Sequence, residues 1–197
     1  MKKHLSFLAI AGCLLASTAL SNANLIQNGS FEDPTLPPNS WTTSVTIPGW
    51  AATVDTIEIG WAGIYGVTGQ DGNQVMELDA YHNVTVSQLT TAPSGSYTFS
   101  FLYAMRINRT PLDCAFEVFW NTTSLGYFEP NSTVMQVASY NVVAAGGDKV
   151  TFVGKGTDSS YGALIDNVQL NGVPDGGVTL SLFGMALAGL QWLRRKI

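Results

Sequence analysis

In Tyr97-Thr98-Phe99-Ser100-Phe101-Leu102-Tyr103 an aromatic ring occupies every second position. Side chains of a strand alternate between two faces, whereas a helix would scatter these four rings around its circumference. The segment therefore demands a sheet with one covered face. The same chemistry recurs along the chain. Short runs rich in Val, Ile, Thr, Phe and Tyr are separated by Gly, Asn, Asp and Pro clusters, and helical periodicity is absent away from the two ends. The pattern predicts strands at Asn24–Gln27, Val54–Ile59, Gln74–Asp79, Val84–Leu89, Gly95–Met105, Cys114–Asn121, Ser124–Phe128, Val134–Ala144, Lys149–Val153 and Leu164–Leu170, with Ala144–Asp148 as a hairpin connection. About ten strands in one domain imply an all-β fold of two packed antiparallel sheets, a jelly-roll sandwich.

The ends read differently. Lys2 and Lys3 precede an apolar run, Leu5 to Leu20, and Ser21-Asn22-Ala23 supplies the small residues of a cleavage site. That order predicts a signal peptide over 1–23, removed by signal peptidase, with the mature chain starting at Asn24. Ala11-Gly12-Cys13 offers an alternative, a lipidated Cys13, but Leu14, Leu15 and Ala16 continue the apolar core where a lipoprotein turns polar. At the other end Gly177 to Leu193 carries no charge and precedes Arg194-Arg195-Lys196. A stretch of about 17 apolar residues is just long enough for a transmembrane helix, and the basic cluster would stay cytoplasmic.

Between the ends, residues 24–172 form one domain of ordinary size. They hold 13 acids and 4 bases, a net charge of −9 against −5 for the whole chain. Phosphate binding needs clustered Lys and Arg, so nucleic acid is excluded as a partner, while cations and neutral polymers stay open. Cys114 is the single cysteine of this body and alternates with Phe116, Val118 and Trp120, which predicts a buried thiol.

Three segments carry a family resemblance: Asn24-Leu25-Ile26-Gln27-Asn28-Gly29-Ser30-Phe31-Glu32, then Ile47-Pro48-Gly49-Trp50, then Gly162-Ala163-Leu164-Ile165-Asp166-Asn167-Val168. In this order they resemble galactose-binding-like β-sandwiches, and more narrowly a secreted bacterial branch with interchangeable C-terminal anchors, similar to a plant cell-wall family of unknown function. Residues 173–197 resemble the PEP-CTERM sorting signal, with Val173-Pro174-Asp175-Gly176 in place of the Val-Pro-Glu-Pro tetrad, then the apolar run and Arg194-Arg195. This resemblance implies an exosortase-type membrane protease, a membrane-anchored precursor, and a final location at the cell surface or in the extracellular matrix. Galactose-binding-like domains of this type often hold a structural Ca²⁺ between the first segment and the last strand, which here implies Glu32 and Asp166. Asp166 alternates with Leu164, Val168 and Leu170, so its carboxylate needs a partner, and an ion pair to Arg106 is the competing expectation.

Catalysis has little footing. His4 lies in the signal, His82 has no nucleophile pattern near it, and the sequence has no Gly-x-Ser-x-Gly, His-Glu-x-x-His or phosphate-loop motif. Five Asn-x-Ser/Thr matches, at Asn28, Asn83, Asn108, Asn121 and Asn131, read as turn chemistry. The expected role is non-catalytic, a surface or matrix module associated with carbohydrate or exopolysaccharide; the alternatives are a structural matrix protein without a ligand and a secreted glycoside hydrolase. The ligand site is expected around Trp61 and Tyr65, in the glycine-rich segment Gly60–Gly66, with Arg106 and Tyr161 completing it. If the C-terminal signal is processed, mass spectrometry of surface material should find no peptide beyond about Gly177. Recovery of Trp192 in the mature protein would instead indicate a permanent tail anchor.

Overall fold

The structure is a computed structural model that describes residues 24–173. The expected signal peptide with Cys13, the apolar C-terminal run, and Pro174, Asp175, Gly176, Arg194 and Arg195 lie outside the described residues. Among the described residues no helix is long and apolar enough to cross a membrane.

Among the described residues twelve strands and one short helix follow one another: β1 (Trp41–Ser44), β2 (Thr46–Ile47), β3 (Trp50–Val54), β4 (Ile57–Trp61), α1 (Ala62–Tyr65), β5 (Gln74–Glu77), β6 (Thr85–Leu89), β7 (Gly95–Ala104), β8 (Phe116–Trp120), β9 (Thr123–Phe128), β10 (Gln136–Ala144), β11 (Lys149–Gly154) and β12 (Leu164–Gly172). They form two six-stranded sheets, β1-β4-β5-β12-β7-β10 and β2-β3-β6-β11-β8-β9, and every strand pair is antiparallel. From β6 onward the chain passes repeatedly between the sheets, as in the expected jelly-roll sandwich.

The alternating segment does what its period requires. Tyr97, Phe99 and Phe101 point into the layer between the sheets, where Phe99 and Phe101 lie 6.5 and 5.2 Å from the Phe152 ring of the facing sheet. Cys114 is fully buried beside them, and burial pushes its thiol up to about 11. The three resembling segments assemble into one unit. Asn24 spans the last strand, its amide nitrogen donating to the Val168 carbonyl at 2.9 Å and its amide oxygen accepting from the Leu170 N–H at 2.9 Å. The Val168 N–H donates to the Gly29 carbonyl at 2.8 Å, and a side chain on Gly29 would collide with the Val168 carbonyl. Trp50 Nε1 donates to the Asn28 carbonyl at 3.2 Å, and the Trp50 and Phe31 rings meet at 5.5 Å. Both rings are buried; truncating such a side chain to Ala costs about 3–5 kcal/mol.

Several local expectations change. Asn24–Gln27 is not a strand: its one backbone-to-backbone bond to a sheet is from Leu25 to Leu170, its other contacts run through the Asn24 and Gln88 side chains, and the chain then turns. Val54–Ile59 is split between β3 and β4 by a turn in which Asp55 takes φ 57°. The runs β1 and β2 are too short to show a period. Ala144–Asp148 turns as expected, with Gly146 and Gly147 at φ 97° and 75° and the Asp148 carboxylate accepting from two backbone N–H groups. It is not a hairpin, because β10 and β11 lie in different sheets and the turn carries the chain across the sandwich. In β12 a bulge between Asp166 and Gln169, with Asn167 at φ 44°, reverses the faces. Leu164 therefore joins the outer cluster while Val168 and Leu170 enter the core, so Asp166 does not share their face as simple alternation had it. The turn reading of the Asn-x-Ser/Thr matches holds at Asn28, Asn108 and Asn121, which take φ of 51°, 59° and 56°.

Candidate functional site

The outer face of the first sheet carries an unusual load for a surface: buried carboxylates. Ile57 and Ile59 of β4 point into the core, which turns Glu58 outward, directly opposite Glu77 of β5. Glu77 in turn pairs with Leu164 at the start of β12, and Leu164 with Ala104 at the end of β7. Arg106, two residues beyond β7, arrives over this row. Its Nη1 donates to both Glu77 oxygens, at 2.8 and 2.6 Å, and the Gly162 N–H donates to the same carboxylate at 2.8 Å. A Cβ on Gly162 would lie 2.7 Å from the Asp79 nitrogen, so only glycine lets this loop come close enough.

Tyr65 of α1 covers the row from the side. Its hydroxyl donates to Glu58 Oε1 at 2.9 Å, reached over Gly60, where any side chain would strike the phenol. Burial raises both carboxyls, Glu77 to about 8 against the opposing pull of Arg106. The two contacts from Arg106 favour the ionised form of Glu77 against that burial, while Glu58 across from it is held by the Tyr65 hydroxyl. Burial also raises Tyr65, which stays a neutral donor.

Around this floor is a cleft of about 480 Å³ lined by Trp41, Glu58, Tyr65, Tyr81, Arg106 and Tyr161, among others. Trp41 and Tyr81 are 54% and 53% exposed. Tyr161 is held by two cations, the guanidinium carbons of Arg106 and Arg109 lying 4.6 and 3.4 Å from its ring centre. The rim loops are fixed by acids. Asp55 accepts from the Tyr81 and His82 N–H groups at 3.1 and 2.7 Å, Asp79 from the Ser159 N–H at 3.0 Å, and His82 Nδ1 lies 3.1 Å from Asp158. A second hollow, about 650 Å³ and more open, lies on the other sheet around Ile47, Trp50, Gln88 and Lys149. Its one large ring, Trp50, is buried and offers no face to a ligand.

Of the expected ligand residues, Tyr65, Arg106 and Tyr161 meet in one cleft. Trp61 does not line it; half-buried, it donates from Nε1 to the Leu36 carbonyl at 3.0 Å. Tyr65 has no exposed surface, because the glycines flanking it admit close packing instead of leaving space around the ring. Trp41 and Tyr81, the exposed rings, are brought in by the pairing of Trp41 with Gly60 and by the Asp55 clasp. No local pattern in the sequence signals either contact.

The two residues implied for calcium sit around one turn. Glu32 Oε1 accepts from the Asn73 and Gln74 N–H groups at 2.7 and 2.8 Å, while Asp166 accepts from the Asp71 and Asn167 N–H groups at 2.6 Å each. The alternative ion pair from Asp166 to Arg106 is not formed, since Arg106 is taken by Glu77. Asp166 is fully buried, and burial, with smaller pushes from Asp71 and Glu32, raises it to about 8. Among the described residues no three His, Cys, Asp or Glu side chains converge as a metal-holding group, so an ion here would need backbone carbonyls beside Glu32 and Asp166.

Residues 172–197 match the VPDSG-CTERM motif. Val173-Pro174-Asp175 reads as in the motif's name, so Asp175 is its expected acid, not a shortened glutamate; Gly176 stands where the name has Ser. The chain thus ends in a sorting motif of secreted, surface-anchored proteins. Over 150 residues it is 31% identical to the multifunctional-autoprocessing repeats-in-toxin proteins of Vibrio vulnificus and Vibrio cholerae, a match that takes in 74% of this chain and 3% of each of those. The chain therefore spans about 3% of the length of these relatives. Among solved structures it is similar to TmCBM61 in complex with beta-1,4-galactotriose, at 15% identity over 76% of this chain and 99% of that one, with a TM-score of 0.49. It is also similar to CBM35 from Paenibacillus barcinonensis, at 14% identity over 68% and 99%, with a TM-score of 0.42.

A raised carboxyl fixes the sign of a pH dependence. Asp166 titrates near 3.8 when unfolded and near 8 when folded, so its contribution is complete below pH 4 and is lost as pH rises through 8. Without added metal, the melting temperature should fall between about pH 4 and pH 8, and Asp166→Asn should flatten that fall. Calcium would hold Asp166 ionised and raise the melting temperature at pH 8. Identical melts with calcium and with chelator, in protein free of calcium by elemental analysis, would remove the ion.

Proposed function

We propose that this is a non-catalytic surface protein that binds glycan in the cleft formed by Trp41, Tyr81 and Tyr161 over the Glu58–Glu77–Arg106 floor. The observation that carries this reading is the pair of half-exposed rings, Trp41 and Tyr81, at the mouth of a concave site with a fixed polar floor. Clustered exposed apolar surface of this kind marks an interaction site, and flat rings suit the C–H faces of sugars. Glu77 is engaged by Arg106 and the Gly162 N–H and Glu58 by the Tyr65 hydroxyl, which leaves neither carboxyl free to act as acid or nucleophile and supports a binding role over glycoside hydrolysis.

The charges narrow the ligand. Arg106 turns Nη1 onto the Glu77 carboxylate, which balances its charge within the floor. The surrounding acids, Asp55, Asp79 and Asp158, outnumber the further guanidinium of Arg109 over Tyr161. The ligand is therefore a neutral or amine-bearing glycan, such as a component of an extracellular polysaccharide, and not a polyuronate. The described chain ends at Val173, and the nine residues of β12 run from Leu164, beneath the cleft, to Gly172. At about 3.3 Å per residue this separates the cleft from the sorting segment by ~26 Å, which favours a cleft facing away from the surface that holds the chain. Cleavage by an exosortase-type protease would follow export. One structural Ca²⁺ held by Glu32 and Asp166 would neutralise the buried carboxylate of Asp166; no binding step depends on it.

The test is calorimetric titration with galactotriose, chitosan oligosaccharide and oligogalacturonate. The first or second should bind and the third should not. Tyr81→Ala should weaken binding roughly tenfold or more, since a stacking contact is worth about 1–3 kcal/mol by analogy with base stacking. Trp61→Ala should leave affinity unchanged. Loss of binding on Trp61→Ala with Tyr81→Ala unaffected would move the site to Trp61, and no binding to any glycan would favour a structural matrix role.

A further inference from the structure

The first sheet ends in an unusual edge. β10 lies at its border, paired with β7 over nine consecutive residues without a register shift. Strand edges are ordinarily blunted by short length, charge, proline or a bulge, because their free N–H and C=O groups invite another strand. The other three borders follow that rule: β1 has four residues, β2 has two, and β9 pairs with β8 across a register shift. The sequence of β10, Gln-Val-Ala-Ser-Tyr-Asn-Val-Val-Ala, has no charge, no proline and no bulge. Ala138, Val142 and Ala144 face the core, while Val137, Ser139, Asn141 and Val143 face solvent, with Val137 69% and Val143 74% exposed. Among the described residues only the Val143 carbonyl has an outside partner, Trp120 Nε1 at 3.2 Å.

We infer that β10 pairs antiparallel with β10 of a second copy of this chain, joining two six-stranded sheets edge to edge. Charge selects the occupant. A domain of net charge −9 repels its own copies over most of its surface, and this uncharged border lets two of them meet without opposing carboxylates. The strand is also its own complement. Antiparallel self-pairing creates a two-fold axis through its middle and keeps its alternating faces in phase. Since β12 runs parallel to β10, being antiparallel to the same β7, the two copies send their C-terminal ends in opposite directions. The pairing therefore joins released copies, or copies on opposed surfaces, and not neighbours anchored side by side. It does not depend on glycan binding.

The test introduces one cysteine at a time into the full chain carrying Cys13→Ser, at Val137, Ser139, Asn141 or Val143, with Thr53→Cys as an exposed control away from the edge. Cys114 is buried and does not compete. The position nearest the two-fold axis should oxidise readily to a disulfide-linked dimer, because facing residues of an antiparallel pair lie about 4.5–5.5 Å apart at Cα. The control should remain uncrosslinked. In sedimentation velocity the parent chain should show a concentration-dependent dimer, weakened at least tenfold by Val137→Lys with Val143→Lys, whose exposed sites should leave the melting temperature unchanged. A parent that stays monomeric at every concentration, crosslinking no stronger than the control, or a dimer insensitive to the lysines would overturn the proposal.

Discussion

Glu77 has no contact with solvent, yet three other parts of the molecule meet it. It sits opposite Glu58, accepts two hydrogen bonds from Arg106, and receives the Gly162 N–H that anchors the loop bearing Tyr161. An unpaired charge at this depth would cost several kcal/mol, so the arrangement is effectively all or nothing. With Arg106 in place, the guanidinium also lies over Tyr65 and Tyr161, at 5.0 and 4.6 Å from their ring centres, and sets the floor of the cleft. Removing one partner would leave the other charge stranded and disorganise the floor and one wall together. Such a pair is a poor source of net stability, and its value here lies in geometry.

A second closure lies where the sheet's last strand changes face. The bulge in β12 turns Asp166 away from the core and Val168 into it. That switch lets the N-terminal segment lie against Val168 and Leu170 through Asn24 and Gly29, and lets Asp166 and Glu32 hold the Asp71–Gln74 turn by its N–H groups. The turn leads directly into β5, and β5 carries Glu77. The two closures are therefore linked along the chain, and disturbing one bears on the other.

How much of this is legible in the sequence depends on the range of the interaction. Alternation at Tyr97–Tyr103 and Phe116–Trp120 gives the inward faces of β7 and β8 correctly, although Cys114 lies in the turn before β8, because burial of one face acts on each residue separately. Glycine and asparagine mark turns well, since a positive φ is a local property. Pairing is not local: Ala144–Asp148 looks like a hairpin from its residues and yet crosses between sheets. Arg106 and Tyr161 were recognisable as candidates, but the partner of Arg106 was not, because Glu77 and Asp166 are equally acidic on paper and only the β12 register selects between them. Likewise Trp50 and Trp61 each follow a glycine and Trp41 follows a Pro-Pro-Asn-Ser turn, and exposure separates the three only after the sheet is built.

The tryptophans supply the most direct test of the cleft. Among the described residues Trp50, Trp61 and Trp120 each donate from Nε1 to a backbone carbonyl, at 3.2, 3.0 and 3.2 Å, whereas the Trp41 indole has no such bond and faces the cleft. Titrating galactotriose or a chitosan oligosaccharide into nitrogen-15-labelled protein and following the indole N–H signals therefore reads each location separately. This account predicts that the Trp41 signal moves with saturation while those of Trp50, Trp61 and Trp120 stay in place. Movement of Trp50 or Trp61 with Trp41 unchanged would contradict it.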